Sequence, residues 1–182
     1  AGILSSTMNG GGVVQSIPGS FPKGEIYKRI GQLQSKLKEK EIDAAVIAQN
    51  VDLFYFTGSC QSGHLIVAAD AGSEPCYLVK KSYSRALSES PLNNIRLQEK
   101  FRELPFWLGE VAPDAKRIGM ELDVLPAALY FRYRELFPGV EIVDLSTEIK
   151  EIRMIKSPYE LEIIKKAAGL SDRMFEAAPR FL

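Results

Sequence analysis

Apolar residues first recur at helical spacing between Glu25 and Lys40. Ile26, Ile30, Leu33 and Leu37 fall every three or four positions with lysines between them, which predicts an amphipathic helix. The run Asp43 to Ala48 (DAAVIA) is apolar without alternation, as expected of a strand covered on both faces. Asn50 to Gly58 (NVDLFYFTG) reads as one helical turn closed by a glycine-terminated bend. Gly63 to Ala69 (GHLIVAA) is a second strand, DAGSEP a turn, and Cys76 to Val79 a third strand pairing back as a hairpin. Further along, the pattern predicts a helix over Ser82 to Ser90, a weak strand at Ile95 to Gln98 and a helix over Phe101 to Glu110. It continues with a strand at Arg117 to Met120, a helix over Pro126 to Phe137 stopped by Pro138 and Gly139, and a last strand at Val140 to Val143. Helices alternating with short apolar strands, interrupted by one hairpin, predict an α/β fold, a layered domain with a central mixed β-sheet flanked by helices.

The final segment carries the clearest local signal. Ser157 suits an N-cap, Pro158 the first helical position, and Glu160 completes a capping box. The helix that follows places Leu161, Ile163, Ile164, Ala167, Ala168, Leu170, Met174 and Phe175 on one broad face, opposite Glu162, Lys165, Lys166, Asp172 and Arg173. So wide an apolar face is expected to pack against its own domain or a neighbouring copy.

Composition narrows the class. Lys plus Arg equals Asp plus Glu at 23 each, so no basic excess points to nucleic acid. No apolar run reaches the roughly 20 residues needed to cross a bilayer, and no membrane association is expected. Residues 1–22 open with AGILSSTMNGGGVVQSIPGS, rich in Gly and Ser and lacking the basic start and apolar block of a secretory signal. They read as a flexible leader or a cloning remnant, with Met8 as a candidate start. The two cysteines, Cys60 and Cys76, read as reduced thiols of a cytoplasmic protein.

Candidate chemistry is sparse. His64 is the only histidine; it reads either as a group supplied to a substrate or as a histidine at the mouth of a strand, satisfied by backbone groups. A Cys60–His64 thiol pair lacks a third orienting group, and Ser59 or Ser62 with His64 and Asp70 lacks a nucleophile elbow. Two cysteines and one histidine are too few and too far apart for a tetrahedral metal site. Gly10, Gly11 and Gly12 are not followed by the Lys and Ser or Thr of a phosphate loop. Lys80, Lys81 and Arg85 read as a solvated basic face, and Trp107 with Phe101 and Phe106 as core.

Taken in order, these segments resemble the creatinase-like N-terminal domain of the aminopeptidase P, prolidase and creatinase family of pita-bread metallopeptidases. The resemblance runs from about Tyr27 to Phe175. It rests on the basic first helix, IDAAVIA, NVDLFYFTG, HLIVAAD, YLVKKSYSRA, RIGMELDVLP and the closing LFPGVEIVDLSTEIKEIRMIKSPYELEIIKKAA. The most specific part is R-x-x-K-S-P-x-E, here Arg153, Lys156, Ser157, Pro158 and Glu160. The resemblance implies a ribonuclease H-like fold divided into a leader (1–22), a creatinase-like N-terminal domain (23–152) and an interdomain linker with the first helix of a catalytic domain (153–182).

What the family does in full length follows as expectation. A hydrolase of this kind cleaves Xaa-Pro bonds in proline-containing peptides with two divalent metal ions (Mn, Co or Zn). Their Asp, His and Glu ligands would all lie beyond Leu182, so no catalytic residue, metal ligand or cofactor is assigned to residues 1–182. The family also implies a homodimer formed through this domain. It further implies an entrance loop comprising Ser59, Cys60, Gln61, Ser62, Gly63 and His64, with Phe54 and Tyr55 at its base, bordering the substrate path. Arg85 matches a family-typical arginine after the third strand, expected to form a structural ion pair. Two alternatives stay open: a protein-interaction module from a relative that has lost catalysis, and a creatinase-type hydrolase of a non-peptide C–N bond.

Overall fold

The computed structural model describes residues 21–177, with side chains to Phe175; the leader other than Phe21 and Pro22, and residues 178–182, lie outside the described residues. The chain order is α1 (Lys23–Glu39), β1 (Ala44–Ile47), α2 (Asn50–Thr57), β2 (Gly63–Ala68), β3 (Cys76–Val79), α3 (Tyr83–Glu89) and β4 (Ile95–Leu97). There follow a 3-10 turn (Phe101–Glu103), α4 (Leu104–Val111), β5 (Arg117–Met120), α5 (Ala127–Leu136), β6 (Glu141–Asp144), α6 (Ser146–Met154) and α7 (Pro158–Ala177).

The six strands form one sheet in the order β4-β3-β2-β1-β5-β6. Only β2 runs against its neighbours, so the sheet is mixed: β1 and β3 pair antiparallel with β2, while β3–β4, β1–β5 and β5–β6 are parallel. Every residue of β1, β2 and β3 is buried, which is why these strands lack polar alternation. Side chains nevertheless alternate between two cores. Ala45, Ile47, Leu65, Val67, Tyr77 and Val79 meet helices α1, α2, α3 and α6. Ala44, Val46, Ile66, Ala68, Cys76 and Leu78 meet α4 and α5 on the other face.

Most of the predicted elements occur within a residue or two of their expected bounds, including the hairpin. Three features differ. The NVDLFYFTG segment is eight helical residues rather than one turn. Gln49 accepts a hydrogen bond from the Asp52 amide at 2.8 Å to start it, and Gly58, at φ 74°, ends it. Ser146–Met154, for which the pattern predicts no element, is the helix α6. Its Ile149 and Ile152 are buried against the first core, a single three-residue spacing too short to stand out beside the charged Glu148, Lys150 and Glu151. Finally, of the two partners expected for the apolar face of α7, its own domain or a neighbouring copy, its own domain leaves most of that face uncovered. Leu161, Ile164, Leu170, Met174 and Phe175 are 46%, 49%, 54%, 68% and 79% exposed.

The close approach of β2 to β3 depends on Gly63. A Cβ there would lie 1.8 Å from the Leu78 carbonyl oxygen, backbone that cannot yield without moving the strand. Gly63→Ala should lower the unfolding free energy by about 2 kcal/mol or more, measured by urea denaturation; unchanged stability would show that the β2–β3 spacing is looser than described.

Candidate functional site

The segment expected to form an entrance loop leaves α2 through Gly58 and is pinned by a residue the sequence reading did not single out. Glu89, at the end of α3, accepts hydrogen bonds on one carboxylate oxygen from the Ser59 hydroxyl (2.8 Å), the Cys60 amide (3.2 Å) and the Gln61 side-chain amide (3.4 Å). Its other oxygen takes Arg85 Nε at 2.5 Å, the ion pair expected of Arg85. Burial pushes the Glu89 carboxyl upward, but the hydrogen bonds from Ser59, Arg85 and Gln61 and the Cys60 amide outweigh it and hold it below the usual carboxylate range. The Tyr77 hydroxyl donates to the Gln61 carbonyl from below. Ser59 is thereby buried, while Cys60 remains exposed. Phe54 is 37% exposed and Tyr55 half-buried at the base.

His64 lies away from this surface. It is the second residue of β2, fully buried on the α4–α5 face, and its ring nitrogens are met by side chains rather than backbone: Nδ1 by Gln98 Oε1 at 2.6 Å and Nε2 by the Tyr133 hydroxyl at 2.7 Å. Burial above all, with Lys80 nearby, lowers its pKa to about 4, so the ring is neutral at pH 7. Among the described residues, no hydrogen bond joins it to Cys60, Ser59 or Ser62. The structure therefore gathers Ser59, Cys60 and Gln61 around Glu89 and leaves His64 in the opposite core. Trp107 and Phe101 pack partly into that core, whereas Phe106 is 61% exposed.

A second node sits where α7 leaves the domain. Arg29 of α1, 3% exposed, donates to Glu25 Oε1 at 3.0 Å and to the Tyr55 carbonyl at 2.8 Å, and its guanidinium lies 4.1 Å from the centre of the Tyr55 ring. Glu160 Oε1 stands 3.6 Å from the same guanidinium. The expected capping box forms: the Ser157 amide donates to Glu160 at 2.9 Å and the Glu160 amide to the Ser157 hydroxyl at 3.2 Å. The Ser157 hydroxyl donates in turn to Glu25 at 2.7 Å. Arg29, Glu25, Ser157 and Glu160 thus lock α1 and α2 to the first turn of α7. Beside them a cleft of about 220 Å³ opens between Phe21, Phe54, Ile163 and Ile164.

The carboxyl ends of β1 and β5 hold a third cluster, invisible as a motif. Glu121, 3% exposed, accepts the Ala48 and Gln49 amides at 3.2 Å, bracing the turn into α2. Burial raises its pKa to about 7, and the neighbouring Asp52 adds to this. Asp52, also raised by burial, pairs with Arg153 of α6 at 2.7 Å. Among the described residues no group of three or more His, Cys, Asp or Glu is gathered that could hold a metal ion. No helix among the described residues is long and apolar enough to cross a membrane.

Comparison with known proteins places this arrangement. Residues 29–155 match the family model described as Creatinase/Prolidase N-terminal domain. An Xaa-Pro dipeptidase of Pyrococcus furiosus is 28% identical over 151 residues, covering 83% of this chain and 42% of that protein. The solved prolidase from Pyrococcus furiosus superimposes with a TM-score of 0.69 at 29% identity, over 82% of this chain and 45% of that one. The separately solved N-terminal domain of the cytoplasmic peptidase PepQ from Mycobacterium tuberculosis H37Rv shares the fold, with a TM-score of 0.61 at 20% identity, over 69% of this chain and 98% of that one. The chain spans about two-fifths of the length of the curated relatives it matches.

Two outcomes test these nodes. Arg29→Ala leaves Glu25 and Glu160 facing each other without a cation and should cost about 3 kcal/mol of stability in urea unfolding; a loss below about 1 kcal/mol would mean that the node is solvated. Glu121 titrates near 7 in the fold against 4.5 as its ordinary value. Its contribution to stability is therefore fully present below pH 4.5 and lost as pH rises toward 7. Relative to Glu121→Gln, the unaltered chain should lose roughly 3 kcal/mol between pH 4.5 and 8. A flat difference across that range would show that the carboxyl is not buried as described.

Proposed function

The chain belongs to the creatinase/prolidase N-terminal domain family, and on that footing we propose that it serves as the non-catalytic domain of a metal-dependent Xaa-Pro peptidase. The observation that carries this reading is the contrast within α7. Its first turn is fixed by Arg29, Glu25 and the Ser157–Glu160 capping box, whereas the apolar face beyond it is left uncovered. A helix held at its root and apolar beyond it is suited to seat a further domain. On this reading residues 23–152 form the accessory unit and 153–182 the linker and first helix of the catalytic domain. The two divalent ions are then held by residues other than those described here, and proline-containing peptides are the substrate of the whole enzyme.

The loop gathered on Glu89 borders the substrate entrance on this reading. Cys60 faces outward from a short segment whose amide and neighbours are tied down, so a peptide passing it meets a fixed rim rather than a mobile one. His64 is not part of that rim. The exposed Val124 and Phe131, at 51% and 58%, give the domain apolar surface for pairing with a second copy. A cytoplasmic setting suits the unpaired thiols Cys60 and Cys76.

The division of labour predicts that the chain incubated with an Xaa-Pro dipeptide and Mn²⁺ or Co²⁺ releases no proline; turnover would overturn it. In the parent enzyme, alkylation of Cys60, the exposed thiol, by N-ethylmaleimide should raise KM for proline-containing peptides with little change in kcat. Cys76 is spared by burial, which pushes its thiol up to about 11. Unchanged KM after complete labelling would remove the loop from the entrance.

A further inference from the structure

Along the outer face of α1 runs a furrow made of three clefts that share parts of their linings. It is widest between α1 and α6, about 480 Å³, where Ile152, Met154 and Ile155 form its apolar side. Gln32 and Ile155 continue it into a polar waist of about 110 Å³ at the Arg29 node. Arg29, Tyr55, Lys156 and Glu160 then carry it into the cleft of about 220 Å³ beside Phe21, Phe54, Ile163 and Ile164. Both ends are apolar and wet: Met154 and Ile155 are 71% and 82% exposed, and Ile163 and Ile164 are exposed too. At the waist Arg29 already meets Glu25 at 3.0 Å and Glu160 at 3.6 Å.

One end of the furrow is the place where the chain enters the domain. The Phe21 ring lies edge-on to Phe54 at 5.1 Å and to Tyr159 at 5.8 Å, with the Arg29 guanidinium 5.7 Å from its centre. The residues before Phe21 therefore set out from the cleft itself. Residues 13–18 read VVQSIP, apolar, polar and apolar as the furrow is, and residues 1–20 contain no charged side chain. Gly19 and Ser20 supply a turn before Phe21. An extended chain spans about 13 Å from Val13 to Ile17, and α1 rises about 10 Å from Arg29 to Lys36, the stretch that separates the two apolar ends. In the other direction, α7 carries the chain about 20 Å away from the furrow between Ile163 and Ala177.

We propose that residues 13–18 of this chain occupy the furrow as a strap. Ile17 lies against Phe54 and Ile163, Gln15 and Ser16 cross the Arg29–Glu160 pair, and Val13 and Val14 rest on Met154 and Ile155. An uncharged segment suits the waist because Arg29 already has its carboxylates; a charged one would lose water there without gaining a partner. At either end the strap takes from water apolar side chains that the domain leaves exposed. It runs back along α1 and ties α6 and the root of α7 to the start of the chain. The inference stands apart from the peptidase reading: it needs no metal, substrate or further domain, and it leaves Leu170, Met174 and Phe175 of α7 uncovered.

Reporter thiols test the strap in the full chain carrying Cys60→Ser, where the remaining native thiol, Cys76, is buried. Met154→Cys reports on the α6 end, Ile163→Cys on the α7 end and Phe175→Cys on α7 beyond the furrow, each by its rate of labelling with N-ethylmaleimide. Val13→Ser with Val14→Ser should speed labelling of Met154→Cys at least fivefold and that of Ile163→Cys less than twofold; Ile17→Ser should do the reverse. Deleting residues 1–12 should change neither rate, deleting residues 1–20 should raise both, and Phe175→Cys should react at one rate throughout. Thermal unfolding checks that each variant is folded. Equal rates with and without residues 1–20 would overturn the proposal, whether the chain then elutes as a monomer with the furrow vacant or as a dimer with a second copy over it. So would acceleration by the serine variants at all three reporters alike, or at the opposite end from the one stated.

Discussion

A guanidinium withdrawn from water costs several kcal/mol unless its donors are met and its charge is balanced. Arg29 is almost wholly withdrawn, and the groups that meet it come from three separate helices: Glu25 on its own helix, the Tyr55 carbonyl and ring from α2, and Glu160 from α7. Because the guanidinium is planar and its donors diverge at fixed angles, satisfying it fixes the relative placement of those helices. The direction in which α7 leaves the domain is therefore a consequence of one buried cation. Asp52–Arg153 reinforces it from α6, whose arginine also lies 5.9 Å from the centre of the Tyr55 ring.

The double burial of the sheet explains where polar chemistry can occur at all. With both faces of β1, β2 and β3 covered, a polar side chain inside must be fully satisfied, and His64 is, through Gln98 and Tyr133. Groups free to meet another molecule are pushed to the sheet ends and to the helix and loop surfaces around them. The Glu89-gathered loop and the root of α7 both lie there. Glu121 is the intermediate case: it sits at a strand end, yet it is buried and spends its carboxylate on the Ala48–Gln49 turn.

Much of the fold was legible because burial on both faces leaves a plain record: DAAVIA, GHLIVAA and CYLV are unbroken apolar runs, and the capping box at Ser157 is a local signal that needs no tertiary context. The rest was not legible for physical reasons. The helix α6 turns only two hydrophobic side chains, Ile149 and Ile152, inward amid charges, too few to mark a helix. Glu89 and Glu121 act through contacts 28 or more residues away in sequence, and nothing adjacent to them marks either. His64 misled because its position in the chain, next to a loop, says nothing about which face of β2 it occupies; the alternation of Leu65 and Ile66 between the two cores decides that. The apolar face of α7 was read correctly as apolar, but amphipathicity shows that a helix has a side to cover and not what covers it.

α7 leaves the domain at an angle fixed by Arg29, and a distance across that joint is the most direct check. Spin labels at the exposed Cys60 and at a cysteine replacing Gly169, which has open space around it but for the end of Arg173, would be read by pulsed electron double resonance. A single narrow distance distribution in the otherwise unaltered chain, broadening when Arg29 is replaced by alanine, is the result predicted. A distribution already broad with Arg29 in place would contradict the account.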